Sequence, residues 1–562
     1  MAGLNHARTV KSTVRDETAA VKVEFDYVKS LDAAVSDVNA ALNRIMPTLP
    51  VQMLPPRIFR ISDATAPVQT LAVYPKPDSL LTLSKVRQLC DNEIQEAFLR
   101  VRGIAGAEVF GGYVPEIRLN IDRDRLARYG FSIDQVVSAI SAQNRNIPSG
   151  MMIRNTDELM IKIQGERARR HELEDIVIGQ NPGGGAVYLK DIAAIETTHQ
   201  QRQSFFRGNG RPAMGINLLR TEGGHVTTTL AAIDDALPNI RAAFPDLEFE
   251  MVDTQGELIN TSVSNLVTAL RDAVILTVAV IFLLIARVRA TFLAAVSIPF
   301  TFMLTFAGMK LISYELNIVT MTAIILAVGL LVDDAIVVIE NIDRHVTPGD
   351  KSLFQASLDG TKEIFLADFA GTATTLMVLL PIMFVGGYAQ KILRPLTLVL
   401  SMALLASFIV SVTVIPLLAP KLMKAGRHAN RMERLLERFC DFWITPLQNF
   451  FIRGFRLATS KWGWFIFPVL IFLLLISIRQ MPLAGRDLMP AMDTGIVKID
   501  FEIWPNSAID QTEAVVEKME QAIRGMPGVV RMAVTVGAEP NVISFGADRT
   551  AQEGLITVHF EN

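Results

Sequence analysis

The stretch GLLVDDAIVVIEN, residues 329–341, sets two acids, Asp333 and Asp334, side by side inside an apolar run. An aspartate at the centre of a membrane span costs roughly 2.5–3.5 kcal/mol on insertion scales, so two in a row are tolerated only where they face a polar interior or are neutral. Asp334 precedes Arg344 by ten residues, about 15 Å of helix at ~1.5 Å per residue, which is too deep for a short side chain to reach the interface. Low dielectric and mutual repulsion both make it costly to charge the second carboxyl, so the pair is expected to titrate as a coupled unit. An acid that takes a proton from one side and yields it to the other is a relay, and each crossing is worth ~2.3 kcal/mol per 100 mV of membrane potential. The plainer alternative is a permanently protonated, hydrogen-bonded pair with only a packing role.

Outward from this motif the apolar residues are clustered. Six candidate spans cover about 268–286, 290–312, 317–340, 365–385, 395–419 and 463–479, against the ~20 apolar residues that a ~30 Å hydrocarbon core requires. The whole chain has 562 residues, of which 50% are hydrophobic and 20% charged, and its mean hydropathy is +0.33, high for a water-soluble protein of this length. Lys and Arg total 54 against 57 Asp and Glu, a net charge of -3, so no basic excess points to nucleic acid. Cys90 and Cys440 are too far apart to form a metal-binding CxxC or a disulfide framework, and the seven His show no HExxH pattern. No metal or other cofactor is expected, and no nucleophile–base arrangement suggests an enzyme.

Lys and Arg are densest in the stretch after the fifth span, where Lys421, Lys424, Arg427, Arg431, Arg434, Arg438, Arg453, Arg456 and Lys461 fall; the bias after the first and third spans is slight. By the positive-inside rule the odd-numbered connections are cytoplasmic, which places the flanking regions 1–262 and 481–562 on the outer side. No apolar export signal opens the chain, and its last residues read as a strand without a cap, so a piece of something longer is expected.

The flanking regions read as α/β. Residues 66–118 follow strand, amphipathic helix and a glycine-containing turn, then strands through Val109 and 117–121; residues 212–253 run strand, helix and strand. A third copy follows the spans, because NEIQEAFLRVRGIAGAEV (92–109) resembles AVVEKMEQAIRGMPGVVR (514–531), pairing Gly103 with Gly525 and Gly106 with Gly528 at a tight helix-to-strand turn. Between the first two units, 122–205 reads as an insertion with a short helix near 132–142 and a hairpin turn at 182–185, where no Lys-Ser/Thr follows the glycines to make a phosphate loop.

Around the acid pair, Ala327, Gly329 and Ala335, with Gly371, Thr372, Thr374 and Thr375 on the next span, suit close helix contact. Thr372, Thr374 and Thr375 either bond to the carboxylates or simply pack. Asp272, near the outer end of the first span, is either an outer-side acid of the proton path or an interfacial residue. None of the six spans carries a central Lys or Arg to neutralise the pair.

These motifs together resemble the resistance-nodulation-division (RND) efflux transporters, inner-membrane pumps of Gram-negative bacteria. GLLVDDAIVVIEN is similar to that family's fourth transmembrane helix. DRLARYGFSIDQVVSAISAQNRNIPSG (124–150), VYLKDIAAIE (187–196), RVRATFLAAVSIPF (287–300), PIMFVGGY (381–388) and LMPAMDTGIVKIDF (488–501) follow in family order. The resemblance implies a polytopic α-helical membrane protein with periplasmic α+β porter subdomains of ferredoxin-like β-α-β type. Residues 1–60 would be a partial first porter subdomain, 61–121 with 205–262 the second, 122–204 a docking insertion, 263–480 the membrane block with a cytoplasmic loop at 420–462, and 481–562 the start of the third. It implies proton relay at Asp333 and Asp334, an accessory place for Asp272, and the hydrophobe/amphiphile branch exporting drugs or other amphiphilic small molecules. It also implies membrane lipid, a homotrimer, a periplasmic adaptor and an outer-membrane channel as partners. The family's first helix and the half that bears the lysine pairing with the aspartates have no counterpart, so a missing C-terminal half is expected. The competing expectation is a truncated or split-gene subunit that does not transport alone.

Overall fold

The computed structural model describes the chain apart from residues 1–2, 16–17, 51–52, 63–64, 155–156, 164–166, 168, 182, 286, 347–351, 424–430, 460–463, 481–493, 540–541, 543, 545–548 and 562. It falls into two compact units: Met1–Lys11, Lys22–Val51 and Glu257–Met492, and Ser12–Val21, Gln52–Gly256 and Asp493–Asn562.

The first unit is built on helices α1 (Gln255–Ile285), α2 (Val288–Leu311), α3 (Ile318–Val346), α4 (Leu353–Leu379) and α5 (Tyr388–Leu422), a 3-10 turn carrying α4 on to Phe384. Each is long and apolar enough to cross a bilayer. Helix α3 is the centre, packing on α5, α4 and α2. Its buried stripe runs Ala323, Ala327, Leu331, Ala335, Val338 and Ile342, three or four residues apart as a helix face requires, and small residues recur where α5 lies closest. Apolar side chains on α1 and on the outer faces of α2 and α4 are exposed, as lipid-facing side chains are.

After α5 the stretch expected as a loop is a helix, α6 (Arg431–Thr459), and a shorter helix, α7 (Ile466–Gln480), follows. Helix α6 is amphipathic: Phe439, Phe442, Phe450 and Phe455 are exposed among its basic residues, the composition of a helix lying in a membrane interface. The described length of α7, 15 residues, is about 22 Å at ~1.5 Å per residue.

The second unit holds an eight-stranded sheet of β1 (Gln69–Pro75), β2 (Ile104–Phe110), β3 (Ser204–Gly208), β4 (Arg211–Arg220), β5 (Leu247–Thr254), β6 (Ile496–Glu502), β7 (Val529–Gly537) and β8 (Glu553–Phe560). Its path is β5-β1-β4-β3-β7-β8-β6, with β2 also paired to β4. Strand β4 therefore lies between β1 and β2, antiparallel to both, and β8 lies between β6 and β7 in the same way. Each is a split β-α-β arrangement, and the two meet where β3 pairs with β7, Ser204 opposite Gly537. The helix Val226–Ala243 turns Ile233, Leu237 and Ile240 into the core shared with Leu71, Phe98 and Ile216.

The glycine match between the first and third units is shifted by one turn. Gly103 immediately precedes β2 with φ 92°, and its structural counterpart before β7 is Gly528, φ 84°; Gly525 is an ordinary right-handed helix cap. Only the residue entering the strand needs the left-handed conformation that glycine adopts without penalty. Within the insertion, Ser132 caps the helix Ile133–Gln143 through a capping box with Gln135. The strands Val177–Gln180 and Ala186–Tyr188 form the hairpin, its turn closed by the Asn181 side chain accepting from the backbone of Gly183 and Gly185; Pro182 of the expected turn lies outside the described residues. The insertion has its own core, around Val136, Ile176 and Ile192.

Candidate functional site: acids at the α3–α4–α5 seam

The two adjacent aspartates do not face one cavity. Successive helical residues point about 100° apart, and here that turns Asp333 to an exposed face of α3 while Asp334 looks into the seam with α4 and α5. Asp334 lies twelve residues before the end of α3 at Val346, ~18 Å along the helix at ~1.5 Å per residue. Its Oδ2 is buried with no hydrogen-bond partner among the described residues. Its carboxyl meets two side chains from other helices, Asp368 of α4 and Ser407 of α5.

Asp368 is the residue the sequence reading missed. It stands fifteen residues into α4, ~22 Å at ~1.5 Å per residue from the same end of the bundle, so it matches Asp334 in depth. Ser411, one turn after Ser407 on α5, places Oγ 3.2 Å from Asp368 Oδ2. Both serines are buried. Ser407 donates to the carbonyl of Leu331 at 2.6 Å, and Ser411 Oγ lies 2.8 Å from the carbonyl of Phe408. The rings of Phe365, Phe369 and Phe408 pack at centroid distances of 5.7–6.5 Å beside this acid. No Lys or Arg is among the partners of either acid among the described residues.

The other expected members of the site lie elsewhere. Thr374 and Thr375 are exposed and donate to carbonyls of their own helix, Ala370 at 2.7 Å and Gly371 at 3.0 Å, instead of to the carboxylates. Each hydroxyl follows the usual i−4 bond of a helical threonine. Asp272 is exposed and pairs with its neighbour Arg271 at 2.8 Å, which fits the interfacial reading. Gly329 and Gly371 have open space where a Cβ would stand.

The close contact that brings α4 to α3 is at Gly360, where a Cβ would stand 3.0 Å from Ile342 Cα and 3.1 Å from its backbone nitrogen. Beside it Asn341 Nδ2 donates to the Gly360 carbonyl at 2.7 Å, and Glu363 accepts from Arg344 at 2.7 Å and pairs with His345 at 2.6 Å. Those ion pairs are largely solvent-exposed and contribute little each, about 0–1 kcal/mol, so the glycine sets the spacing. Gly360→Val must push the helices apart and is expected to lower stability by ~1–3 kcal/mol, as overpacking does, and to separate Asp368 from Asp334. Thermal unfolding in detergent checks this; unchanged melting would show that the helices do not meet there.

A bundle of long apolar helices, followed and preceded by split β-α-β units, defines a polytopic membrane protein. Residues 1–558 match the family model described as the AcrB/AcrD/AcrF family. The chain thus belongs to this family of RND efflux transporters. Because the match runs over nearly all of the chain, the expectation of a half-length fragment gains no support from it.

Proposed function

We propose that the chain drives efflux of drugs or other amphiphilic small molecules out of the inner membrane by antiport with protons, with Asp333 and Asp334 as relay acids. The observation that carries this reading is Asp334, an acid at mid-span with one carboxyl oxygen unsatisfied and another acid, not a cation, as its neighbour. A buried polar atom without a partner is costly, and a group that must bind and release a proton is one that cannot be permanently satisfied. Protonation neutralises the acid for burial; its loss on the other side resets the site, and the membrane potential supplies the free energy.

In this reading the split β-α-β units are periplasmic porter subdomains, 61–121 with 205–262 as the second and 481–562 as the third, with 1–60 belonging to the first. The insertion 122–204 serves docking. A homotrimer joined to a periplasmic adaptor and an outer-membrane channel completes the export path, in keeping with family membership. The basic residues of 421–461 support a cytoplasmic place for α6.

The test is efflux of ethidium from cells stripped of their own pumps and expressing the full chain. Efflux that stops when a protonophore collapses the gradient supports the proposal. Efflux that persists without the gradient, or cells that extrude no more dye than those without the chain, would overturn it for this chain acting alone.

A further inference from the structure

We propose that Asp368 is a third proton-bearing carboxyl of the relay, exchanging a proton with Asp334 across the seam between α3 and α4 while Ser407 and Ser411 of α5 hold the pair in register. The inference rests on the proposed proton coupling and adds to it a residue outside the double-aspartate motif.

Three observations converge on it. The first is depth: Asp368 lies level with Asp334 and is the one charged residue between Ile364 and Leu379 of α4, where an acid without a role is costly. The second is contact, since the two carboxyls meet each other and two facing carboxylates can share such a contact only with a proton between them. The third is the arithmetic of hydroxyl hydrogens. A serine has one, and the Ser407 hydrogen is committed to the Leu331 carbonyl at 2.6 Å. Ser411 lies nearer the Phe408 carbonyl, at 2.8 Å, than Asp368, at 3.2 Å. With its hydrogen on the backbone each serine has lone pairs free for a carboxyl that carries a proton, whereas an unprotonated Asp368 accepts from Ser411 at 3.2 Å. The groups facing Asp368 are Asp334 from α3 and Ser411 from α5, and Asp333 lies on the exposed face of α3.

The step is balanced within the pair. An O–H bond at Asp334 breaks as one forms at Asp368, Asp334 becomes the carboxylate, and the pair's net charge stays the same. Exchange in this direction moves the proton from the central helix to α4 without requiring a cation on either helix.

Dicyclohexylcarbodiimide, which modifies protonated carboxyls in apolar surroundings, provides the test on the full chain in membranes. Modified residues are mapped by mass spectrometry from pH 5 to pH 9. Asp368 is expected to be modified, less so as pH rises, and Asp334→Asn is expected to move the midpoint of its labelling by about one pH unit or more. A purely structural Asp368 would go unmodified, or keep its midpoint in that variant, and either result overturns the inference. Asp334→Glu, which retains the acid but moves it by one methylene, serves if the amide variant does not accumulate, and an unmoved midpoint there counts equally against it. In the ethidium assay, Asp368→Asn is expected to lower gradient-driven efflux at least tenfold, with Asp368→Glu restoring most of it. Full efflux in Asp368→Asn but not in Asp334→Asn sinks this inference alone; full efflux in both sinks the proton-coupling reading as well.

Discussion

Asp334→Asn is expected to lower proton-dependent efflux about a hundredfold or more, equivalent to ~2.7 kcal/mol on the limiting barrier, while the protein still reaches the membrane. An asparagine keeps the shape of the acid but binds no proton in the accessible range, so the step that resets the site is lost. Stability should not suffer, because a neutral amide beside Asp368 removes the repulsion between two acids and costs less to bury than a charge. Asp333→Asn is expected to impair efflux less, because its carboxyl is turned to the exposed face of α3. Dye efflux with and without a protonophore, normalised to the amount of protein in the membrane, separates these results; unchanged efflux in both variants refutes the relay role of the motif.

The second large effect is on the α/β unit. Arg207 on β3 is buried and donates from Nε to Glu520 Oε2 at 2.8 Å, from Nη1 to Glu517 at 3.1 Å, and from Nη2 to the carbonyl of Gly210 at 3.0 Å. Glu517 and Glu520 belong to the helix Ile509–Arg524, so this cluster, with Arg87 bonded to Glu539 at 2.9 Å, ties the third β-α-β unit to the first two. Arg207→Ala leaves the buried Glu520 without its hydrogen-bonded cation, Arg524 being the remaining positive charge near it, and is expected to cost ~3–5 kcal/mol. Burial already holds the Glu520 carboxyl above its ordinary range, against the opposing pull of Arg207. A carboxyl raised in the folded state contributes stability that is fully present in acid, below its unfolded value, and is lost as pH rises through its folded value. The Arg207→Ala variant should therefore melt closer to the unmodified protein near pH 5 than at pH 8, and Glu520→Gln added to it should flatten that dependence. Melting temperatures across that range measure both; a loss that is equal at all pH values would assign the effect to packing alone.

Much of this architecture is legible in the residues, since the apolar runs mark the helices and the alternation around 69–74 and 213–219 marks paired strands. The site was only half legible. The pair Asp333–Asp334 stands out because the residues around it are apolar, whereas Asp368 follows the polar stretch GTKEI and looks like the edge of a span beginning near 365. In the structure α4 starts at Leu353, and that longer helix carries Asp368 from the apparent edge to mid-depth. The Ser407–Ser411 pair at i and i+4 on α5 was the available sign of a polar partner. Adjacency in the sequence also misled in part, because neighbours on a helix face different ways and the partner of Asp334 across the seam is not Asp333. Gly360 could not be distinguished from Gly329 or Gly371 by type, for only the crossing of α3 and α4 determines which glycine touches a backbone. The amphipathic period of 431–459 was present all along beneath a composition that read as a basic loop.

Proton counting in proteoliposomes tests the central claim most directly: a pH-sensitive dye is enclosed, an ethidium gradient is imposed, and the internal pH is followed as the dye cation moves. Substrate flux through the unmodified chain is predicted to drive protons the opposite way, and Asp334→Asn is predicted to abolish that response. Ethidium movement with no accompanying pH change, or the same pH change in both proteins, would contradict it.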